Sequence, residues 1–136
     1  MPPHSADTIM EDRVVIKVSV FYPYSPDNRF DFTYYCNEHM PMVKDRLGDA
    51  CQGIAVDRGI SAEAPGSEPL YAAVCHLFFN SVEDFGAAFA PHEKEIMDDI
   101  PNYTDIKPVI QISEVLINAR RSETGPFHLH LPDTTA

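Results

Sequence analysis

Residues 30–43 read FDFTYYCNEHMPMV. From this stretch onward, Phe32, Tyr35, Cys36, His39, Met40, Val43 and Leu47 recur three and four residues apart, the spacing of one face of an α-helix. Thr33, Asn37, Glu38, Lys44 and Asp45 take the other side, and Tyr34 points away from the His39 stripe. Asp31 has the chemistry of an N-cap, and Gly48 ends the pattern as a C′ glycine does. Pro41 cannot donate to the carbonyl of Asn37, and its ring crowds that carbonyl. Met40, just before the proline, is biased away from helical geometry. The stretch therefore predicts a helix that breaks or kinks near His39 and restarts at Pro41, a favourable first-turn residue.

A histidine in an apolar stripe is costly to bury without a partner. It has two readings. His39 lines a pocket, where imidazole serves as acid, base or hydrogen-bond donor near neutral pH, or it is a core histidine bonded to a backbone carbonyl or to Tyr35.

Outward from this helix, Val14 to Tyr22 (VVIKVSVFY) is rich in β-branched and aromatic residues and reads as a first strand, followed by the turn cluster PYSPDNR. Cys51 to Ser61 reads as a second strand, bent at Gly53 and Gly59, and Leu70 to Phe79 (LYAAVCHLFF) as a third. Ser81 and Asp84 have the spacing of a capping box, and Val82, Phe85, Phe89, His92 and Ile96 form a second helical stripe interrupted at Pro91. Ile106 to Ile117 reads as a fourth strand, in which Pro108 fits only an edge or the strand's start.

The order is β-α-β-β-α-β. It predicts an α+β, ferredoxin-like domain over residues 13–118, with a four-stranded antiparallel sheet and both helices on one face. The other face, with Lys17, Ser19 and Phe21 on the first strand and Gln111, Ser113 and Val115 on the fourth, predicts a homodimer as its simplest cover. Residues 1–12 read as an N-terminal arm and residues 119–136 as a C-terminal tail. In that tail, PFHLHLP alternates like a short edge strand, while His128 and His130 lack a third ligand for a metal.

Composition narrows the classes. The chain has 136 residues, 44% of them apolar, and a net charge of −11. Such a surface repels phosphate backbones and anionic lipid, so neither nucleic acid nor membrane is an expected partner. No apolar run is long enough to span a bilayer, and the first residues lack the pattern of a secretory signal. Cys36, Cys51 and Cys75 read as reduced core thiols of a cytoplasmic protein. Glu83, Asp84, Glu93, Glu95, Asp98 and Asp99 read as a solvated helix face. GxSxG, GxGxxG, Walker, HExxH and CxxC motifs are absent from the sequence, so it implies no cofactor and no metal.

Two further histidines are candidates. His76 shares a face of the third strand with Ala72, Val74 and Phe78, and strand parity leaves open whether that face meets the helices or the opposite side. His92 follows Pro91 beside a helix interruption, where a structural kink is the alternative reading.

Phe30, Asp31, Tyr34, Tyr35, His39, Pro41 and Val43 match F-D-x-x-Y-Y-x-x-x-H-x-P-x-V, and RLG follows at 46–48. With the segment FGAAFAPHEKEIMDDIPNYT, they resemble the EthD family, named for a gene of ethyl tert-butyl ether degradation. The resemblance runs from about Val14 to Leu116. It implies a ferredoxin-like subunit pairing into a dimeric α/β barrel, a setting shared with small cofactor-free monooxygenases, polyketide cyclases and decarboxylases or dehydratases that hold apolar substrates between sheet and helices. The function expected from it is small-molecule catabolism, by a cofactor-independent oxidoreductase or lyase acting on a small apolar organic ligand. His39 would be catalytic, with Tyr35, Tyr34, Met40, His76 and His92 binding substrate. The alternative is a non-catalytic binding protein or an accessory to an oxygenase system.

Overall fold

The computed structural model describes residues 15–119. Its four strands are β1 (Val15–Pro23), β2 (Gly53–Arg58), β3 (Tyr71–Phe79) and β4 (Val109–Val115). They form one sheet in the order β2-β3-β1-β4, every neighbouring pair antiparallel. Helix α1 (32–47) joins β1 to β2, and helix α2 (82–98) joins β3 to β4. This is the ferredoxin-like βαββαβ arrangement that the element order predicts. β2 and β4 are shorter at both ends than their sequence patterns suggest. Both are edge strands, so each has a ladder partner on one side only. Pro108 stands just before β4, where its missing N–H costs no ladder bond. The predicted arm (1–12) and, apart from Ala119, the predicted tail with its PFHLHLP segment lie outside the described residues.

The register aligns the core face strand by strand. Ile16, Val18, Val20 and Tyr22 stand opposite Phe79, Leu77, Cys75 and Ala73, and Ile54 and Val56 continue the rows into β2. Both helices bury their apolar stripes on this face, with Tyr35, Met40, Val43 and Leu47 from α1 and Ile96 from α2. The opposite face carries Lys17, Phe21, Val74, His76 and Phe78, all half-buried, around a buried Ser19.

Pro41 does not break α1. The helix opens with Phe32–Tyr34, widens into a π turn over Tyr35–His39, and resumes as Met40–Leu47. The Met40 N–H donates to the carbonyl of Tyr35, five residues back. The widened turn makes room for the Pro41 ring, so Met40 keeps right-handed helical angles (φ −67°, ψ −37°) despite preceding a proline. The inserted residue also shifts the phase. Tyr35, His39, Met40, Val43 and Leu47 stay inward, while Cys36, expected in the stripe, is exposed. Of the three expected core thiols, Cys75 is buried, Cys51 half-buried and Cys36 on the surface. Gly48, at φ 63°, terminates the helix in a conformation that side chains other than glycine's rarely adopt.

Helix α2 is capped by the Ser81 hydroxyl, which accepts from the Asp84 N–H at 2.9 Å. It tightens into a 3₁₀ turn over Ala90–His92, where Pro91 interrupts the ladder, and then continues as Glu93–Asp98. Arg46 of α1 grips Glu95 of α2 through two bonds of 2.8 and 2.9 Å. The loop after α2 is clamped to the start of α1. The Asp31 N–H donates to the Tyr103 carbonyl at 2.7 Å, the Thr104 hydroxyl to the Arg29 carbonyl at 2.7 Å, and the Arg29 N–H to Asp105 at 3.0 Å.

Candidate active site

The clamp brings the end of α2 against the π turn of α1, and a polar network forms there inside an aromatic cage. His39 is 3% exposed. Its ring stacks on Tyr35 at 5.6 Å and lies 4.6 Å from Tyr103, with both distances taken between centroids. Nδ1 of His39 is 2.8 Å from Oδ2 of Asp99. The other Asp99 oxygen accepts from the Tyr34 hydroxyl at 2.7 Å and from the Asn102 amide at 2.9 Å. On the far side of the ring, Nε2 lies 3.5 Å from the Tyr103 hydroxyl, which is bonded at 2.6 Å to that of Tyr22.

Burial and pairing act against each other on these groups. Burial lowers the pKa of His39 below its ordinary 6.5, and the bond and charge of Asp99 only partly oppose it, so the neutral ring is favoured. Burial also pushes Asp99 upward, but the bonds from His39, Tyr34 and Asn102 outweigh it and hold the carboxyl below 3.8. The pair is therefore a neutral imidazole donating Nδ1–H to a carboxylate, a short charge-assisted bond that fixes the tautomer. Burial pushes the Tyr22 hydroxyl up to about 12 and the Cys75 thiol to about 11, and raises Tyr35 and Tyr103 further.

The network opens onto a small apolar pocket between the helices and the sheet, with a cavity volume of about 70 Å³. That volume is several-fold below that of drug-sized sites, so a ligand of more than a few heavy atoms enters only as the pocket wall moves outward. Met40, Leu77, Phe85 and Phe89 line it, with exposed Met97 and Ile110 at its rim. The residues with polar side chains in its lining are His39, Tyr22, Tyr35 and Cys75. Among the described residues, no group of three or more histidine, cysteine or acidic side chains is arranged to hold a metal ion.

The structure unites some of the expected site residues and separates others. His39, Tyr35 and Met40 meet in the pocket wall. Tyr34, expected to point away from His39, instead reaches the same carboxylate, because the loop after α2 carries Asp99 to it. His76 does not join them. It lies on the far face of the sheet, with Nδ1 2.9 Å from the Ser19 hydroxyl and Nε2 3.2 Å from Asp57. His92 sits half-buried at the 3₁₀ turn and does not line the pocket.

Sequence reasoning missed Asp99, Tyr103 and Tyr22. Asp99 was counted with the solvated acids of α2, whereas it turns inward. One local signal was available: an acid at a helix C-terminus opposes the helix dipole and needs a separate reason to be there. Tyr22 and Tyr103 are 81 residues apart, and no local pattern links them.

A ferredoxin-like domain with a helix-covered apolar pocket and a buried His–Asp pair is thus the class of protein the geometry defines. The EthD domain model matches residues 26–107, and the chain belongs to the EthD family. An EthD-like protein from Ralstonia eutropha JMP134 is 49% identical, with a TM-score of 0.77 over 82% of this chain and 99% of its own. An EthD-family protein from Bacillus halodurans C-125 shares the fold at 17% identity, with a TM-score of 0.52 over 74% of this chain and 97% of its own. No curated protein matches the chain. Among the described residues, no helix is long and apolar enough to cross a membrane.

Proposed function

We propose that the chain binds a small apolar organic compound in the pocket beside His39 and moves a proton at the bound molecule without a cofactor. The observation that carries this reading is the neutral His39, held by Asp99 at 2.8 Å in the wall of an otherwise largely apolar cavity. A fixed tautomer leaves Nε2 as the proton acceptor, and burial keeps the ring from being charged before it acts. The chemistry is that of a lyase or of the proton-transfer half of an oxidoreductase. Ethyl tert-butyl ether degradation, from which the family takes its name, supports ether-derived or similarly apolar compounds as the ligand class. The half-buried face around Val74 and Phe78 would be covered by a second copy of the chain, giving the homodimer.

The test is deuterium uptake. Protein in D2O is incubated with simple ketones, read for deuterium uptake at the α carbon, and with ethyl tert-butyl ether, read for product, both by mass spectrometry. Wild type should promote exchange or turnover of a bound compound, and His39→Gln should reduce the rate by about 10²-fold or more, the usual worth of a general base. Equal rates in the two proteins would refute the role of His39.

A second reading, a binding or accessory protein, is favoured by the low exposure of His39 and the occupation of both its ring nitrogens. An unaltered apolar molecule found by native mass spectrometry in freshly purified protein supports that reading, and its rapid conversion opposes it.

A further inference from the structure

A cavity of about 70 Å³ admits little unless one of its walls moves. The sheet and α1 are firm walls. Val18, Cys75 and Leu77 belong to paired strands, and Tyr35, Met40, Val43 and Leu47 are buried on α1. The wall formed by α2 is held far less firmly. Of its residues, Ile96 alone is buried, whereas α1 buries Tyr35, His39, Met40, Val43 and Leu47.

Within α2, Glu93–Asp98 is set apart from what precedes and follows it. A 3₁₀ turn stands on each side, Ala90–His92 and Ile100–Asn102. Each turn carries a proline, Pro91 and Pro101, that gives no N–H to a helical ladder. His92, at φ −117° and ψ 5°, leaves helical geometry. Ile96 and Met97 of this segment line the pocket, while Glu93, Lys94, Glu95 and Asp98 are exposed. Among the described residues, two side-chain hydrogen bonds tie the segment to the rest of the domain, from Nε and Nη2 of Arg46 to the two oxygens of Glu95. Asp45 holds the same guanidinium on α1 at 2.6 Å. The Arg46 and Glu95 side chains are 35% and 47% exposed, so water screens the pair. Just past the segment, Asp99 is pinned by His39, Tyr34 and Asn102. An outward swing between His92 and Asp99 therefore leaves the His39–Asp99 pair in place.

We propose that Glu93–Asp98 is a lid over the pocket, latched to α1 by Arg46 and Glu95, and that a ligand of more than a few heavy atoms enters when it lifts. The inference rests on the ligand-binding reading of the pocket and adds the route of entry. Opening exposes one isoleucine and breaks one surface ion pair, which keeps the open form to on the order of 1% of molecules. A ligand can select a minor state of that size. Closure then excludes water from the bound molecule.

Cys75 reports opening without any ligand, because it lines the pocket and is 3% exposed. The native protein is labelled with N-ethylmaleimide, and peptide mass mapping separates Cys75 from exposed Cys36 and half-buried Cys51. Below the unfolding transition, the wild-type Cys75 rate should be nearly flat in urea, since a lifted lid exposes little surface. Arg46→Gln and Glu95→Gln should each label Cys75 about threefold to fivefold faster, the worth of one surface ion pair. Arg46→Lys, which keeps the charge without the two-pronged grip, should fall between. In wild type, the amides of 93–98 should exchange with deuterium at least about tenfold faster than those of 40–47. A Cys75 rate that climbs with urea as steeply as global unfolding would overturn the lid, as would wild-type rates in both glutamine variants or equal exchange in the two segments. All of these are read in ligand-free protein, so their failure strikes the lid alone, whereas failure of the deuterium-uptake test at His39 strikes the proton-transfer reading alone.

Discussion

The two faces of the sheet each carry a histidine beside an aspartate. His39 meets Asp99 at 2.8 Å, with side-chain exposures of 4% and 18%, and His76 meets Asp57 at 3.2 Å, with 19% and 62%. On the helix-covered face, burial lowers the histidine's pKa, three donors converge on the carboxylate, and the imidazole packs against the rings of Tyr35 and Tyr103, which also touch each other. On the other face, the aspartate is mostly in water and the histidine's second partner is the Ser19 hydroxyl. The residue pair is the same on both faces. The difference shows that the surroundings, and not the pairing, make a His–Asp couple into a candidate proton-transfer group: low polarity fixes one protonation state, while water screens the exposed couple.

The strongest way to sharpen this contrast is to truncate neighbouring phenylalanines that point to opposite faces. Phe79, fully buried under the helices, should cost about 3–5 kcal/mol on replacement by alanine, measured by urea denaturation. Phe78→Ala, on the half-buried face, should cost well under half of that in dilute protein. If a second copy covers that face, the Phe78→Ala cost should rise with protein concentration. Comparable costs at all concentrations would break the contrast between the faces.

The histidines come next. His39→Gln leaves the Asp99 carboxylate without its Nδ1 donor and should destabilise by about 1–3 kcal/mol, whereas His76→Gln should cost about 0.5–1 kcal/mol. A larger loss for His76 would mean that the far face is the more demanding environment.

Acid titration of stability gives the smallest effect. His39 titrates lower in the folded protein than in the unfolded chain, where its value is near 6.5. Between the two values the unfolded chain holds the extra proton, so this contribution is fully present above 6.5 and is lost as pH falls through the folded pKa. Asp99 is also depressed, from 3.8, and adds a second loss as pH falls through its own folded value. His39→Gln should remove the first step and shrink the second in melting-temperature profiles, since Tyr34 and Asn102 alone then hold the Asp99 carboxyl down. A first step that survives in the variant would assign it to another group.

Much of the fold was legible because it depends on local patterns. The apolar periodicity of residues 32–47, the β-branched runs at 14–22 and 70–79, the caps at Asp31, Ser81 and Gly48 and the edge position of Pro108 are each read over a few residues; the strands stand within one residue of their expected bounds, the caps where expected, and the helical stripe as expected except for Cys36. The π turn was legible only as a disturbance. A proline signals that the α ladder cannot continue unchanged, but a break and a widened turn both answer that signal, and the packing of Tyr35 and His39 on the core selects the second. Half of the site was readable in the same way, through His39, Tyr35 and Met40. Asp99 was hidden among acids that face water, and Tyr103 in a loop, because their roles come from the clamp between residues 28–31 and 101–106.

The sequence by itself determined the element order, the helix carrying His39 inward and the family motif that spans it, since these follow from spacing along one segment of chain. The tertiary structure alone decided that Asp99, Tyr34, Tyr103 and Tyr22 gather around that histidine and that His76 turns to the opposite side. The physical reason is that hydrogen bonds between residues 60 to 81 positions apart, and the choice of which sheet face the helices cover, are set by packing across the whole domain.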